Sequence, residues 1–314
     1  MMEKEASGEV SVVVPVYNSA QFLPKLVEEL ETALLTCCSR YELILVNDAS
    51  KDQSWEVICE LSNEHPWIHG FNLMRNVGQH NALLCGIRAA KFATIVTIDD
   101  DLQNPPSEIH KLLGKLDEGL DVVYGVPAEE QHNFLRNMAS RVTKLVLQNA
   151  MGAEIATNIS AFRAFRTSVR QSFQNYRGPF VCIDVLLTWG TTRFGALRVS
   201  HSPRRDGESG YSLRSLIVHA LNMMTGFSVI PLQIASIVGF IFTIFGLVTF
   251  GYVISSYLLR GSPVAGFPFL ASIIAIFSGA QLFALGIMGE YLARMYFRLM
   301  DKPPYTVRTT TLCD

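Results

Sequence analysis

Short β-branched runs alternate with helical patterns through the first part of the chain. Val10 to Val16 is followed by a helix-period stretch from Gln21 to Leu35, and Tyr41 to Val46 by one from Ser54 to Leu61. Ile68 to Met74 leads into Gln79 to Ala90, Thr94 to Ile98 leads into Pro106 to Leu116, and Asp121 to Tyr124 adds a further strand. Such alternation predicts an α/β fold, a mostly parallel sheet with helices on both faces and ligands at the carboxyl ends of the strands. Polar residues collect at those ends: Tyr17-Asn18, Asn47-Asp48, Arg75-Asn76 and Asp99 to Asp101. No Gly-x-Gly-x-x-Gly follows the first strand, which argues against a nicotinamide enzyme.

The pattern changes after residue 226. No Asp, Glu, Lys or Arg occurs from Phe227 to Leu259, nor from Pro268 to Gly289. Each run exceeds the ~20 residues that a membrane span needs, so the reading is a two-helix transmembrane hairpin. Pro231 fits the first helical turn, and Gly261-Ser262-Pro263 ends the first span. Arg193, Arg198, Arg204, Arg205 and Arg214 precede the hairpin, and Arg294, Arg298, Lys302 and Arg308 follow it; the connecting loop carries Arg260 alone. By the positive-inside rule both termini are cytosolic and the loop is outside. Asn133 to Met151 sets Arg136, Arg141 and Lys144 among apolar residues, a pattern shared equally by an interfacial helix and a packed surface helix. The expected layout is a polar tail (1–9), a cytosolic domain (10–210), a juxtamembrane helix (211–226), two membrane helices (227–299) and a cytosolic tail (300–314).

Composition agrees with a membrane protein: 49% of the 314 residues are hydrophobic and 17% charged, and the net charge of −2 gives no push toward nucleic acid. Met1 to Glu9 lacks the apolar stretch of a secretory signal, which places the first domain in the cytosol. The six cysteines form no Cys-x-x-Cys pair and read as thiols of a reducing compartment.

The chemistry centres on Asp99-Asp100-Asp101-Leu102-Gln103, at the end of the fourth apolar run. Strand alternation turns Asp99 and Asp101 one way and Asp100 the other. Neighbouring carboxylates resist joint ionisation unless a cation lies between them, and hard oxygen donors suit Mg²⁺ or Mn²⁺ with a diphosphate. A solvated acidic loop ahead of the helix near Pro105 is an equal reading of the cluster taken alone.

Val13-Val14-Pro15-Val16-Tyr17-Asn18, Val46-Asn47-Asp48-Ala49-Ser50, Arg75-Asn76-Val77-Gly78-Gln79-His80 and Asp99 to Pro106 together resemble the inverting family 2 (GT-A, Rossmann-like) glycosyltransferases. The resemblance narrows to the polyprenyl-phosphate branch and runs nearly end to end, through Gly207 to Ser212, Gly279-Ala280-Gln281 and Gly289 to Leu292. It implies a nucleotide-sugar site of Pro15, Tyr17, Asn18, Asp48, Gln79 and Asp100. It further implies a metal held by Asp99, Asp101 and Gln103, and an acceptor phosphate met by Arg136, Ser140, Arg163 and Arg204. Asp99, Asp101, Arg136 and Arg204 are the expected catalytic set. A homotetramer in a bacterial inner membrane, supplying lipid-linked sugar for a surface glycan, follows from the same resemblance. The chain departs from the family pattern at Ser19, Pro127, Glu130 and Gly210. Two alternatives stand beside this reading: a processive polysaccharide synthase, against which count the few spans and the lack of Gln-x-x-Arg-Trp, and a non-catalytic nucleotide-binding scaffold.

Overall fold

The structure, a computed structural model, describes residues 8–127, 159–178, 180–200, 230–260 and 267–311. The expected helices at 133–151 and 211–226, the segment Gly207 to Ser212, and residues Glu130, Arg136, Ser140, Arg204 and Gly210 lie outside the described residues.

The first elements fall close to the pattern: β1 (Glu9–Val16), α1 (Leu23–Cys37), β2 (Arg40–Asn47), α2 (Ser54–Glu64), β3 (Ile68–Leu73), α3 (Gln79–Ala89) and β4 (Thr94–Thr97). A 3₁₀ turn at Pro106–Glu108 runs into α4 (Ile109–Leu116), and β5 (Val122–Pro127) follows. The chain continues through β6 (Arg163–Arg166), α5 (Ile183–Thr188), β7 (Phe194–Val199), two long helices, α6 (Ile230–Arg260) and α7 (Phe267–Leu299), and β8 (Val307–Thr310). All the described strands join one sheet in the order β7-β5-β6-β4-β1-β2-β3-β8. β4-β1-β2-β3 are parallel, as are β5 and β7. β6 runs antiparallel between β4 and β5, and β8 antiparallel along β3.

Burial on both faces explains why the central strands read as unbroken apolar runs. Val10, Val12, Val13, Val14 and Val16 of β1 and Leu43, Ile44, Leu45 and Val46 of β2 are all buried. Helix α1 covers one face with Leu23, Leu26, Val27, Leu30 and Leu34, a single stripe at helical spacing. Helix α3 approaches the other face closely because Gly86 has no side chain: a Cβ there would stand 2.4 Å from Cγ1 of Val13 and 3.1 Å from Cγ2 of Val46. The five described cysteines are free thiols.

The described residues separate into two compact units, one holding the sheet together with Asp301 onward, the other the two long helices. In the second unit Phe277 packs on Phe242 and Phe245, with ring centres 5.5 and 6.2 Å apart. Both helices hold segments apolar and long enough to cross a bilayer, Pro231–Ser256 and Ile276–Leu299. None of their most hydrophobic window is buried within the protein, so the core helix of a soluble protein does not describe them.

Candidate active site

The carboxyl ends of β1, β2, β3 and β4 converge on the acidic turn, and hydrogen bonds tie the four loops together. After β1, Tyr17 donates its N–H to Asp100 Oδ2 at 3.2 Å, and its side chain is 44% exposed at the rim. Asn18 takes a left-handed conformation (φ 54°), and its Oδ1 accepts the Lys51 N–H at 2.8 Å, while its own N–H donates to Ser50 Oγ at 3.0 Å. Ser19 is buried and donates its N–H to Ser54 Oγ and its hydroxyl to the Tyr17 carbonyl at 3.2 Å. Pro15, one residue before the end of β1, is buried opposite Val46.

Asp48, at the end of β2, is buried and accepts two successive N–H groups, from Val77 at 2.7 Å and Gly78 at 2.8 Å. Burial raises its pKa, and the two N–H groups oppose that rise. Gly78 adopts φ +90°, a region where a Cβ is strained, and immediately precedes Gln79 at the start of α3. Gln79 Nε2 then donates to Asp99 Oδ1 at 2.6 Å. A chain of contacts therefore runs from β2 through the Gly78 turn to the acidic cluster.

The carboxyl group of Asp99 is pushed up to about 7, first by burial and then by the charges of Asp101 and Asp100; Arg163 and Gln79 pull the other way. Asp100 is also raised by burial, against the hydrogen bonds of Ser19 and Tyr17. The turn is closed by the Gln103 N–H donating to Asp101 Oδ1 at 3.1 Å, with Leu102 at φ 58°. β4 ends at Thr97, so the strand alternation expected to separate the three carboxylates does not extend to Asp99, Asp100 and Asp101.

Arg163, expected at the acceptor phosphate, is buried in the sheet. It is 1% exposed, and β6 carries it beside Thr97, whose Oγ1 accepts from Nε at 3.1 Å. Its Nη1 pairs with Asp184, which also accepts the Tyr124 hydroxyl at 3.1 Å. Burial works against the Arg163 charge, but Asp184, Tyr124, Cys182 and Asp99 together outweigh it and raise its pKa. The partner at Asp184 escaped the sequence reading; a charged residue inside the apolar run around Arg163 was the available signal that one must exist. His80, Cys182 and Asp184 bring possible metal-binding atoms within 4.8 Å of one another. The guanidinium already balances Asp184, and burial drives the Cys182 thiol to about 12, so this group reads as an ion-pair network with a protonated thiol.

A mostly parallel sheet with an acidic turn at the carboxyl end of β4, plus two long apolar helices, is the architecture of a membrane-type GT-A glycosyltransferase. The chain belongs to glycosyl transferase family 2, whose family model matches residues 11–173. Undecaprenyl-phosphate 4-deoxy-4-formamido-L-arabinose transferase of Yersinia enterocolitica is 33% identical over 98% of this chain and 95% of its own length. The enzyme of the same name from Shewanella sediminis is 35% identical over 95% of this chain and 91% of its own. Among solved structures, glucosyl-3-phosphoglycerate synthase from Mycobacterium tuberculosis, in complex with Mn²⁺ and UDP-glucose, shares the fold. It aligns with a TM-score of 0.51 at 16% identity over 70% of this chain and 78% of that one.

Proposed function

We propose that this glycosyltransferase moves a single sugar, with inversion, from a UDP- or GDP-type donor to a polyprenyl phosphate of the undecaprenyl type at the cytosolic membrane face. The product would be a lipid-linked sugar for surface glycan or lipid modification. The acidic turn carries the reading. Burial, and then the charges of Asp101 and Asp100, push Asp99 up to about 7, and such a cluster of oxygen donors fits a hard divalent cation, Mg²⁺ or Mn²⁺. Asp99, Asp101 and Gln103 would hold the ion, which when bound offsets charge on the leaving diphosphate. Pro15, Tyr17, Asn18, Asp100 and Gln79 are assigned to the donor, the exposed Tyr17 ring offering a face for the base. Asp48 acts through the loop of Val77 and Gly78 that it braces.

The acceptor needs no general base. A phosphate monoester has a second pKa of ~6 and is already a nucleophilic anion at neutral pH. Its oxygen forms a bond to the anomeric carbon as the bond to the diphosphate breaks, the electron pair leaving with the diphosphate. The protein's task is alignment. Arg136, Ser140 and Arg204 are assigned to the lipid phosphate, for which guanidinium forks are suited. Arg163 supports the cluster from below by its attraction for Asp99.

The test is a panel of nucleotide sugars with undecaprenyl phosphate and Mn²⁺, using purified full-length protein. One donor should give a lipid-linked monosaccharide. Asp101→Ala should lower turnover at least ~10²-fold while leaving the melting temperature close to that of the parent. A polymeric product, or no product with any donor, would overturn the proposal.

A further inference from the structure

A second set of side chains gathers where the chain rejoins the sheet after α7. Met74 and Arg75, just past β3, and Lys302, Pro303, Tyr305 and Thr306 line a cavity of about 370 Å³, within the usual size of ligand sites. Its lining carries two cations and no carboxylate. Among the described residues neither Arg75 nor Lys302 has an acidic partner. Asp301, the nearest acid along the tail, is engaged by Arg177 at 2.5 Å. Behind the aromatic wall the Arg88 guanidinium lies 5.6 Å from the Tyr305 ring centre. Backbone pairing fixes the rim: the Met74 N–H donates to the Thr306 carbonyl at 2.9 Å, and Arg308 Nη2 donates to the Met74 carbonyl at 3.3 Å.

Positive charge with no counter-charge selects an anion, and the apolar rim of Met74, Pro303 and Tyr305 selects one with a hydrocarbon part. Chain connectivity adds where such a molecule is abundant. Lys302 follows Leu299, the last residue of α7, by three positions, and an extended chain spans at most ~3.6 Å per residue. Lys302 of the cavity wall is thus tethered, by three residues of chain, to a helix long and apolar enough to cross a bilayer. We propose that the Arg75–Lys302 cavity binds the phosphate headgroup of an anionic glycerophospholipid of the surrounding bilayer, a lipid that is neither donor nor acceptor. Arg75 supplies a fork and Lys302 a point charge to one phosphate group. Bound lipid would fasten the junction of tail and sheet to the membrane surface. This inference is independent of the sugar-transfer reading.

Full-length protein in neutral detergent is titrated with dihexanoyl-phosphatidylglycerol and with dihexanoyl-phosphatidylcholine, and bound lipid is counted by native mass spectrometry. Phosphatidylglycerol should bind at least about tenfold more tightly. The double variant R75Q/K302Q should weaken it about thirtyfold and K302Q alone about fivefold, whereas R75K/K302R keeps most of the affinity. Melting temperature and UDP affinity should not move, and if the double variant melts early the exposed single variant K302Q decides. Equal binding of the two lipids, or undiminished binding by K302Q and the double variant, would overturn the proposal. So would full competition by UDP, which would assign the cavity to the nucleotide, or by inorganic phosphate at equal concentration, which would make it a free-phosphate site.

Discussion

At Asp99 three effects converge on one carboxyl group: burial, then repulsion by Asp101, then by Asp100. Its pKa in the fold, about 7, stands above the ordinary 3.8, so the folded state holds a proton that the unfolded chain has lost between those values. The sign follows: this group's contribution to stability falls as pH rises from about 4 to 7, and a divalent cation that replaces the proton removes the loss. Mn²⁺ affinity should therefore rise about tenfold between pH 6 and pH 8, with release of close to one proton at the lower pH. Calorimetry in buffers of different ionisation enthalpy measures both. Asp99→Asn should flatten the profile, and a parent profile already flat would remove Asp99 from the ligand set. The acidic cluster itself was legible in the sequence, because three carboxylates ending an apolar run are conspicuous. The Arg163–Asp184 pair was not. Its members stand 21 residues apart and meet through the antiparallel insertion of β6.

Elements were legible in proportion to their length and burial. β1 and β2, eight residues each, read as strands because both faces are covered. β6 and β8 have four residues each, too few for a period to show, and their places depend on partners distant in sequence. The close seat of α3 on the sheet was equally hidden, since a glycine inside a helical pattern gives no indication of what lies opposite it. Gly86→Ala should destabilise the protein by about 1–3 kcal/mol, because crowding against Val13 outweighs the ~1 kcal/mol that Ala gains over Gly in a helix. Thermal melting of the full chain tests this. Adding Val13→Ala should restore part of the loss by vacating the contact at 2.4 Å, and a stabilising Gly86→Ala would mean that α3 sits farther from β1.

On the scale of the whole molecule, β8 follows both long helices in sequence yet pairs with β3, which precedes them. If α6 and α7 both cross the bilayer, a shared sheet requires the chain to return to the side it left, which supports an even number of crossings. A single cysteine at position 262, in a background without the native cysteines, should react with an impermeant maleimide from outside, and a reporter fused after Asp314 should be active in the cytosol. Labelling of position 262 from the cytosol would exclude a crossing hairpin. The two apolar runs announced this hairpin in the sequence, whereas Val307 to Thr310 carried no mark of a strand that completes a sheet. That strand also sets an order of events during synthesis. The Gly70 N–H finds its acceptor on Thr311, 241 residues later, which at 5–20 residues per second is a wait of roughly 10–50 s. Throughout that interval the outer edge of β3 has no neighbour, and an open strand edge is a template for association with other chains. The nascent catalytic domain is therefore most vulnerable while the hairpin is being made, and its last sheet edge closes only after the membrane segments have left the ribosome.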